Sequence, residues 1–180
     1  DIITYSNIIQ CFADSKQWKK AVEILQEIID SDDIEPDDIC YNGAINACAK
    51  CGEWEIAEDL VNQMTKRNVR LSEYTYNSLI NAYAKKGKWE KSISVLEKMK
   101  EGGVEFGERT LSVTLLACER AEKWEKCLEL IEMAEREDIG LNTFSFNYAI
   151  SACIKAQKLN VVGQILKKME EKCIKFNTMT

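Results

Sequence analysis

Apolar residues recur along this chain with the spacing of a helix face, break off, and then recur. Over residues 73–87, "EYTYNSLINAYAKKG", Tyr76, Leu79, Ile80, Tyr83 and Ala84 fall at i, i+3, i+4, i+7 and i+8, a single stripe on an α-helix. Gly87 then stands where a left-handed residue closes a helix. A second stripe follows with Trp89, Ile93, Leu96 and Met99 before "KEGGVEFG" breaks it. The preceding stretch repeats the scheme with Tyr41, Ile45 and Cys48, then Gly52, then Trp54, Ala57, Val61 and Met64. The pattern predicts pairs of helices, here called A and B, joined by short turns.

The pairs themselves repeat. Trp18, Trp54, Trp89 and Trp124 lie 36, 35 and 35 residues apart, each in a charged setting such as "KKGKWE". Tyr5, Tyr41, Tyr76, Leu111 and Phe146 keep the same period, as do Ile34, Val69, Val104, Ile139 and Ile174. Five repeats fit: 2–37, 38–72, 73–107, 108–142 and 143–177, the first one residue longer within "DSDDIEPD". Self-similarity at this period marks an all-α solenoid of about five helix-turn-helix repeats of 35 residues, each burying its apolar face on its neighbours. The tryptophan reads as the first large packing residue of helix B, a role that Leu159 takes in the fifth repeat. Residues 178–180 open a sixth repeat and no polar capping helix closes either end, so the whole of 1–180 reads as one array cut from a longer one.

Helix A carries a second face. Offsets 0, 3, 7 and 11 lie within about 80° of one another around a helix. They hold Ile39, Asn42, Asn46 and Lys50 in the second repeat, and Tyr74, Asn77, Asn81 and Lys85 in the third. The fourth has Arg109, Ser112, Leu116 and Arg120, and the fifth Phe144, Asn147, Ser151 and Lys155. The first reads Ile3, Ser6, Gln10 and Asp14, and so ends in an acid. A flat or apolar group can stack on a base, an amide or hydroxyl can bond its Watson–Crick edge, and Lys or Arg can neutralise phosphate. Repeated once per hairpin, the stripe is a track for single-stranded RNA.

Charge and composition limit the other readings. The net charge of −6 argues by itself against nucleic acid. The acids concentrate on helix B, however, at Glu23, Glu27, Glu55, Glu58, Asp59, Glu125, Glu129 and Glu132, which leaves the helix A stripe basic at its end. One proline and eight glycines are too few for a loop-rich β protein. No apolar run is long enough to span a bilayer, so no membrane partner is expected, and no targeting segment opens the chain. Cys48 and Cys51 form a CxxC, but with no histidine and no second such pair the eight cysteines read as structural thiols in a reducing compartment. No cofactor, metal site or catalytic constellation is expected.

The phrases "IITYSNII", "DICYNGAI", "EYTYNSLI" and "FSFNYAI", with "VLEKM" and "ILKKM" closing helix B, resemble pentatricopeptide repeats over essentially the whole chain. "RTLSVTLL" in the fourth repeat is the most divergent. The spacing and the Tyr-Asn phrase set them apart from tetratricopeptide repeats, and the uniform length is similar to the P-type class. The resemblance implies a right-handed solenoid that reads one base per repeat, using a helix A residue together with the last residue of the same repeat. The pairs are Ser6 with Asp37, Asn42 with Ser72, Asn77 with Gly107, Ser112 with Asn142, and Asn147 with Asn177. Ile3, Ile39, Tyr74, Arg109 and Phe144 would stack on bases; Lys50, Lys85, Arg120 and Lys155 would contact phosphate. The family pattern assigns guanine to Ser-Asp, cytosine to Asn-Ser, adenine to Ser-Asn and a pyrimidine to Asn-Asn. Gly107 departs from it, and Asn77 is given a loose pyrimidine preference, so the site reads G-C-Y-A-Y from 5′ to 3′. The implied partner is a plastid or mitochondrial transcript. Two competing readings are a scaffold for protein partners and the RNA-positioning arm of an enzyme whose catalytic domain lies outside this chain.

Overall fold

The computed structural model describes residues 1–31, 34–172 and 174. Among them are ten α-helices: α1 (Ile2–Asp14), α2 (Trp18–Asp30), α3 (Asp38–Cys51), α4 (Trp54–Lys66), α5 (Glu73–Lys85), α6 (Trp89–Glu101), α7 (Glu108–Arg120), α8 (Trp124–Arg136), α9 (Thr143–Lys155) and α10 (Leu159–Glu171). The odd-numbered helices are the A helices and the even-numbered ones the B helices. Thirteen residues (fourteen in α3) give each helix close to four turns. A helix of that length is marginal alone, so its stability comes from the neighbours it covers.

The chain divides into two compact units, Asp1–Lys85 and Lys86–Thr180. In the first, α1 lies against α2 and α3, α3 against α4 and α5, and the B helices α2 and α4 against the next A helix. Helix α3 is therefore enclosed on several sides, and its small residues allow it. Ala44, Ala47 and Ala49 are wholly buried, and a Cβ built on Gly43 would lie 2.7 Å from Ile9 Cγ2 of α1. Around it Tyr41, Ile45, Leu25, Ile28, Met64 and Ile80 form the core. The second unit follows the same scheme: α7 contacts α6, α8 and α9, while α9 contacts α8 and α10. Leu111, Leu115, Phe146, Ile150, Ile165 and Met169 make its core.

The turns explain two of the periodic signals. Between A and B helices, one residue per repeat is left-handed: Lys16, Gly52, Gly87, Glu122 and Gln157, with φ of 56°, 80°, 63°, 58° and 58°. After the B helices, Asn68, Gly103 and Asp138 take the same conformation. The next residue then bonds back onto the helix end. Val69 donates to Met64, Val104 to Met99, Ile139 to Ala134 and Ile174 to Met169, each at 2.9 Å. The periodic Val/Ile is thus the apolar residue that follows a left-handed helix stop and folds over the last turn. Glu122 and Gln157 hold a conformation that costs a side chain and costs glycine nothing. Glu122→Gly and Gln157→Gly are each expected to stabilise the chain by about 0.5–1 kcal/mol, measurable as a raised urea midpoint.

The tryptophans pack, but at the margin of the core rather than within it. Trp18, Trp54, Trp89 and Trp124 open the B helices and stay half-buried. Trp54 meets Tyr83 with ring centroids 5.9 Å apart. In the second unit the N-cap lysine of the next B helix covers the ring, Lys123 at 5.6 Å from Trp89 and Lys158 at 5.4 Å from Trp124. That contact accounts for Lys123, which precedes Trp124 in the sequence and covers Trp89. Cys48, Cys118 and Cys153 are fully buried, as packing residues should be. Burial pushes the Cys48 thiol up to about 12, which leaves it protonated and inert. Cys51 is half-buried at the end of α3, where its thiol donates to the Lys16 carbonyl at 3.3 Å.

Candidate nucleic-acid interface

The last residue of each of the first four repeats caps the next A helix. Asp37 Oδ1 accepts from the Cys40 N–H at 2.9 Å, Ser72 Oγ from Thr75 at 3.3 Å, and Asn142 Oδ1 from Ser145 at 2.9 Å. These residue types suit the position because a short acceptor satisfies an amide that the helix leaves unpaired. Gly107 offers no side chain, and α7 starts without a side-chain cap. One helical residue beyond each cap stands a side chain that faces solvent. Ile3 is 67% exposed, Ile39 61%, Tyr74 46% and Phe144 54%, and Arg109 is exposed at the same register. The residues two further on, Tyr41, Tyr76, Leu111 and Phe146, are buried. Each A helix from α3 onward therefore presents one large group outward and plants the other in the core.

Between them lie the expected base-reading residues, recessed and hydrogen-bonded. Asn42 Oδ1 accepts from Thr75 Oγ1 at 2.8 Å, and Thr75 Oγ1 is 3.1 Å from Ser72 Oγ, so one hydroxyl joins both members of that pair. Ser112 and Asn142 come together in the same way: Ser112 Oγ lies 2.8 Å from Ser145 Oγ and 3.4 Å from Asn142 Oδ1. Asn142 Nδ2 also donates to Glu108 Oε1. Ser6 turns its hydroxyl onto the Ile3 carbonyl at 2.9 Å. Asn77 and Asn147 are buried, at 8% and 4% exposure. Asn77 Nδ2 donates to Glu73 Oε1 at 3.4 Å, and its Oδ1 finds no partner among the described residues. Asn177 lies outside the described residues.

The basic end of the stripe is more neutralised than its sequence suggests. Lys50 Nζ sits 2.7 Å from Asp14, the acid that ends the first repeat's stripe. Lys85 donates to the Lys50 carbonyl, and Lys155 Nζ is 2.7 Å from Glu119. Arg120 is exposed. The hydrogen bond from Lys50 holds the Asp14 carboxyl below its ordinary value. Burial would push Glu119 up, but hydrogen bonds from Lys155 and Ser151 outweigh it and hold the carboxyl below 4.5. The contribution of the Glu119–Lys155 pair is thus complete above pH 4.5 and lost as pH falls through the lowered pKa. Lys155→Met should return the Glu119 titration, followed by side-chain carboxyl NMR, toward or above 4.5.

Sequence reasoning overlooked the residue that joins the reading pairs. Thr4, Cys40, Thr75, Thr110 and Ser145 occupy one position per repeat, just before the periodic aromatic, and all but Thr4 are fully buried. The signal was present as a small polar residue recurring at the same spacing as the tryptophans.

A pair of exposed and buried residues flanking a recessed polar pair, repeated once per helical hairpin, defines a helical-repeat protein with a modular surface. The chain belongs to the pentatricopeptide repeat family. A profile described as "Pentatricopeptide repeat-containing protein" matches residues 37–169, and one for the PPR repeat family matches residues 1–50. A pentatricopeptide repeat-containing protein of Arabidopsis thaliana is 34% identical over 59 residues, which are 33% of this chain and 12% of that protein. The chain therefore spans about an eighth of the length of that curated relative. Among solved structures, the pentatricopeptide repeat protein PPR10 from maize superposes with a TM-score of 0.81, at 21% identity over 95% of this chain and 24% of that one. PPR10 in complex with an 18-nt psaJ RNA element gives 0.86, at 20% identity over 100% and 26%. The PPR domain of Arabidopsis thaliana protein-only RNase P 1 in complex with tRNA gives 0.83, at 13% identity over 98% and 93%. These likenesses establish the fold as that of the pentatricopeptide proteins.

Proposed function

We propose that this chain binds single-stranded RNA selectively, one base per repeat, and acts by occupying it rather than by cutting it. The observation that carries the reading is the exposed second residue of every A helix. Ile39, Tyr74 and Phe144 each leave about half or more of a large apolar surface in water, at the same position of its own A helix and at one spacing in sequence. Such a face is a stacking platform in search of flat partners, and every base has one. The reading pair beside it supplies the hydrogen bonds, and Lys50, Lys85, Arg120 and Lys155 supply cations toward phosphate. The acids of the B helices, such as Glu23, Glu55, Asp59 and Glu129, stand exposed on those helices. An acidic chain can thus still present a usable track. A protein-binding scaffold has no need of amides and hydroxyls recurring in register beside the apolar group.

The five pairs assign G-C-Y-A-Y, with transcripts of a plastid or mitochondrion as the targets that the family resemblance suggests. Support for an RNA ligand comes from the solved complexes of PPR10 and protein-only RNase P 1, whose shared fold this chain has. Tyr74→Ala tests the stacking role. The ring is exposed, so stability should hold within about 0.5 kcal/mol. Affinity for RNA should fall by about 1–3 kcal/mol, or five- to 150-fold. Unchanged affinity would remove the platform from the account.

A further inference from the structure

The bridging hydroxyl does more than join two side chains; it decides which atoms they have left for a ligand. Thr75 Oγ1 donates its one proton to Asn42 Oδ1 at 2.8 Å. It accepts from the Ser72 N–H at 3.1 Å, and Ser72 Oγ lies 3.1 Å away as well. With the threonine proton committed to Asn42, the serine must be the donor in that hydroxyl pair. Ser72 Oγ in turn accepts from the Thr75 N–H at 3.3 Å. The pair is left with the two N–H donors of Asn42 Nδ2, the second lone pair of Asn42 Oδ1, and one lone pair on Ser72. Two donors and an acceptor among these complement the pairing edge of cytosine, which offers two acceptors and an amine.

The second unit repeats the device with different chemistry. Ser145 Oγ lies 2.8 Å from Ser112 Oγ and 3.2 Å from Asn142 Oδ1. Because the backbone N–H of Ser145 donates to Asn142 Oδ1 at 2.9 Å, that oxygen faces inward and Nδ2 turns to Glu108. Thr75 and Ser145 are both fully buried, and a hydroxyl buried without partners would be costly. We propose that the residue at this position, Thr75 for the second repeat and Ser145 for the fourth, is a specificity-determining positioning residue. It never touches the base: the Thr75 hydroxyl fixes the proton directions of Asn42 and Ser72, and the Ser145 hydroxyl bridges Ser112 and Asn142. Base choice is then set by three residues, the third borrowed from the following repeat. The inference rests on the RNA-binding reading above.

The test uses the whole chain and RNAs that carry C, U, A or G opposite the second repeat in an otherwise constant site. The wild type should favour C over A there by about tenfold or more. Thr75→Val, which keeps the volume and removes the hydroxyl, should bring that ratio to within about threefold while the preference opposite the fourth repeat holds. Thr75→Ser should restore it. If Thr75→Val fails to fold, as circular dichroism would reveal, Ser145→Ala read opposite the fourth repeat carries the same test. A wild-type ratio retained in the valine variant, or in Ser145→Ala, overturns the inference and leaves RNA binding standing. A wild type without any base preference removes the underlying reading, and the inference with it.

Discussion

Changing Lys50, Lys85, Arg120 and Lys155 together to Glu should abolish RNA binding, with affinity at low salt falling by more than about a hundredfold. Backbone neutralisation supplies most of the sequence-independent part of such affinities, and each lost contact to a single strand lowers the salt slope by about 0.7. Four contacts therefore remove nearly three units of slope. Two of these lysines already have acidic neighbours, Lys50 with Asp14 and Lys155 with Glu119, so reversal also sets like charges together. The corresponding four-Gln variant separates the effects, because it removes the cations without adding repulsion. It should bind about as poorly as the Glu variant at moderate salt while melting closer to the wild type. Electrophoretic mobility shifts over a salt series would measure the binding, and thermal unfolding followed by circular dichroism the melting. Affinity unchanged in the Gln variant would show that phosphate is contacted elsewhere.

Phe146→Ala should cost about 3–5 kcal/mol, among the largest losses expected from a single core substitution. The ring is fully buried among Leu128, Ile131, Val161 and Ile165, which line one small cavity with it. Truncation would open more apolar space there, and helices this short depend on their neighbours. Urea unfolding should show the drop as a lower midpoint. Tyr74→Ala, at an exposed site two repeats before, should leave that midpoint almost unmoved. The contrast between them is the structural content of the repeat: one aromatic is held in the core and another is held out of it.

The hairpins were legible because their signals are local. The i, i+3, i+4 stripe of Tyr76, Leu79, Ile80 and Tyr83 marks α5, and Gly87 marks its end, from neighbours within one helix. The periodic Val69, Val104 and Ile139 were visible as a pattern, but their role in closing the B helices needed the backbone bond to the residue five before. Depth was harder to read. A helical wheel gives the direction of Asn77 and Asn147 and says nothing of how far a neighbouring helix covers them, so their burial was not anticipated. The pairing of Lys50 with Asp14 depended on contacts 36 residues apart in sequence. The bridging Thr75 was missed for the same reason, since a threonine before a tyrosine looks like an ordinary helix position until the preceding repeat is set against it.

Whether the reading pairs select a base sequence is decided by fluorescence anisotropy at one fixed, moderate salt concentration. The probes are a single-stranded RNA with GCCAC in an inert flank and the same bases shuffled. The matched RNA should bind tighter by about tenfold or more, since even one mismatched contact is worth about 1–3 kcal/mol in nucleic-acid readout. Equal binding of matched and shuffled RNA would contradict that selection.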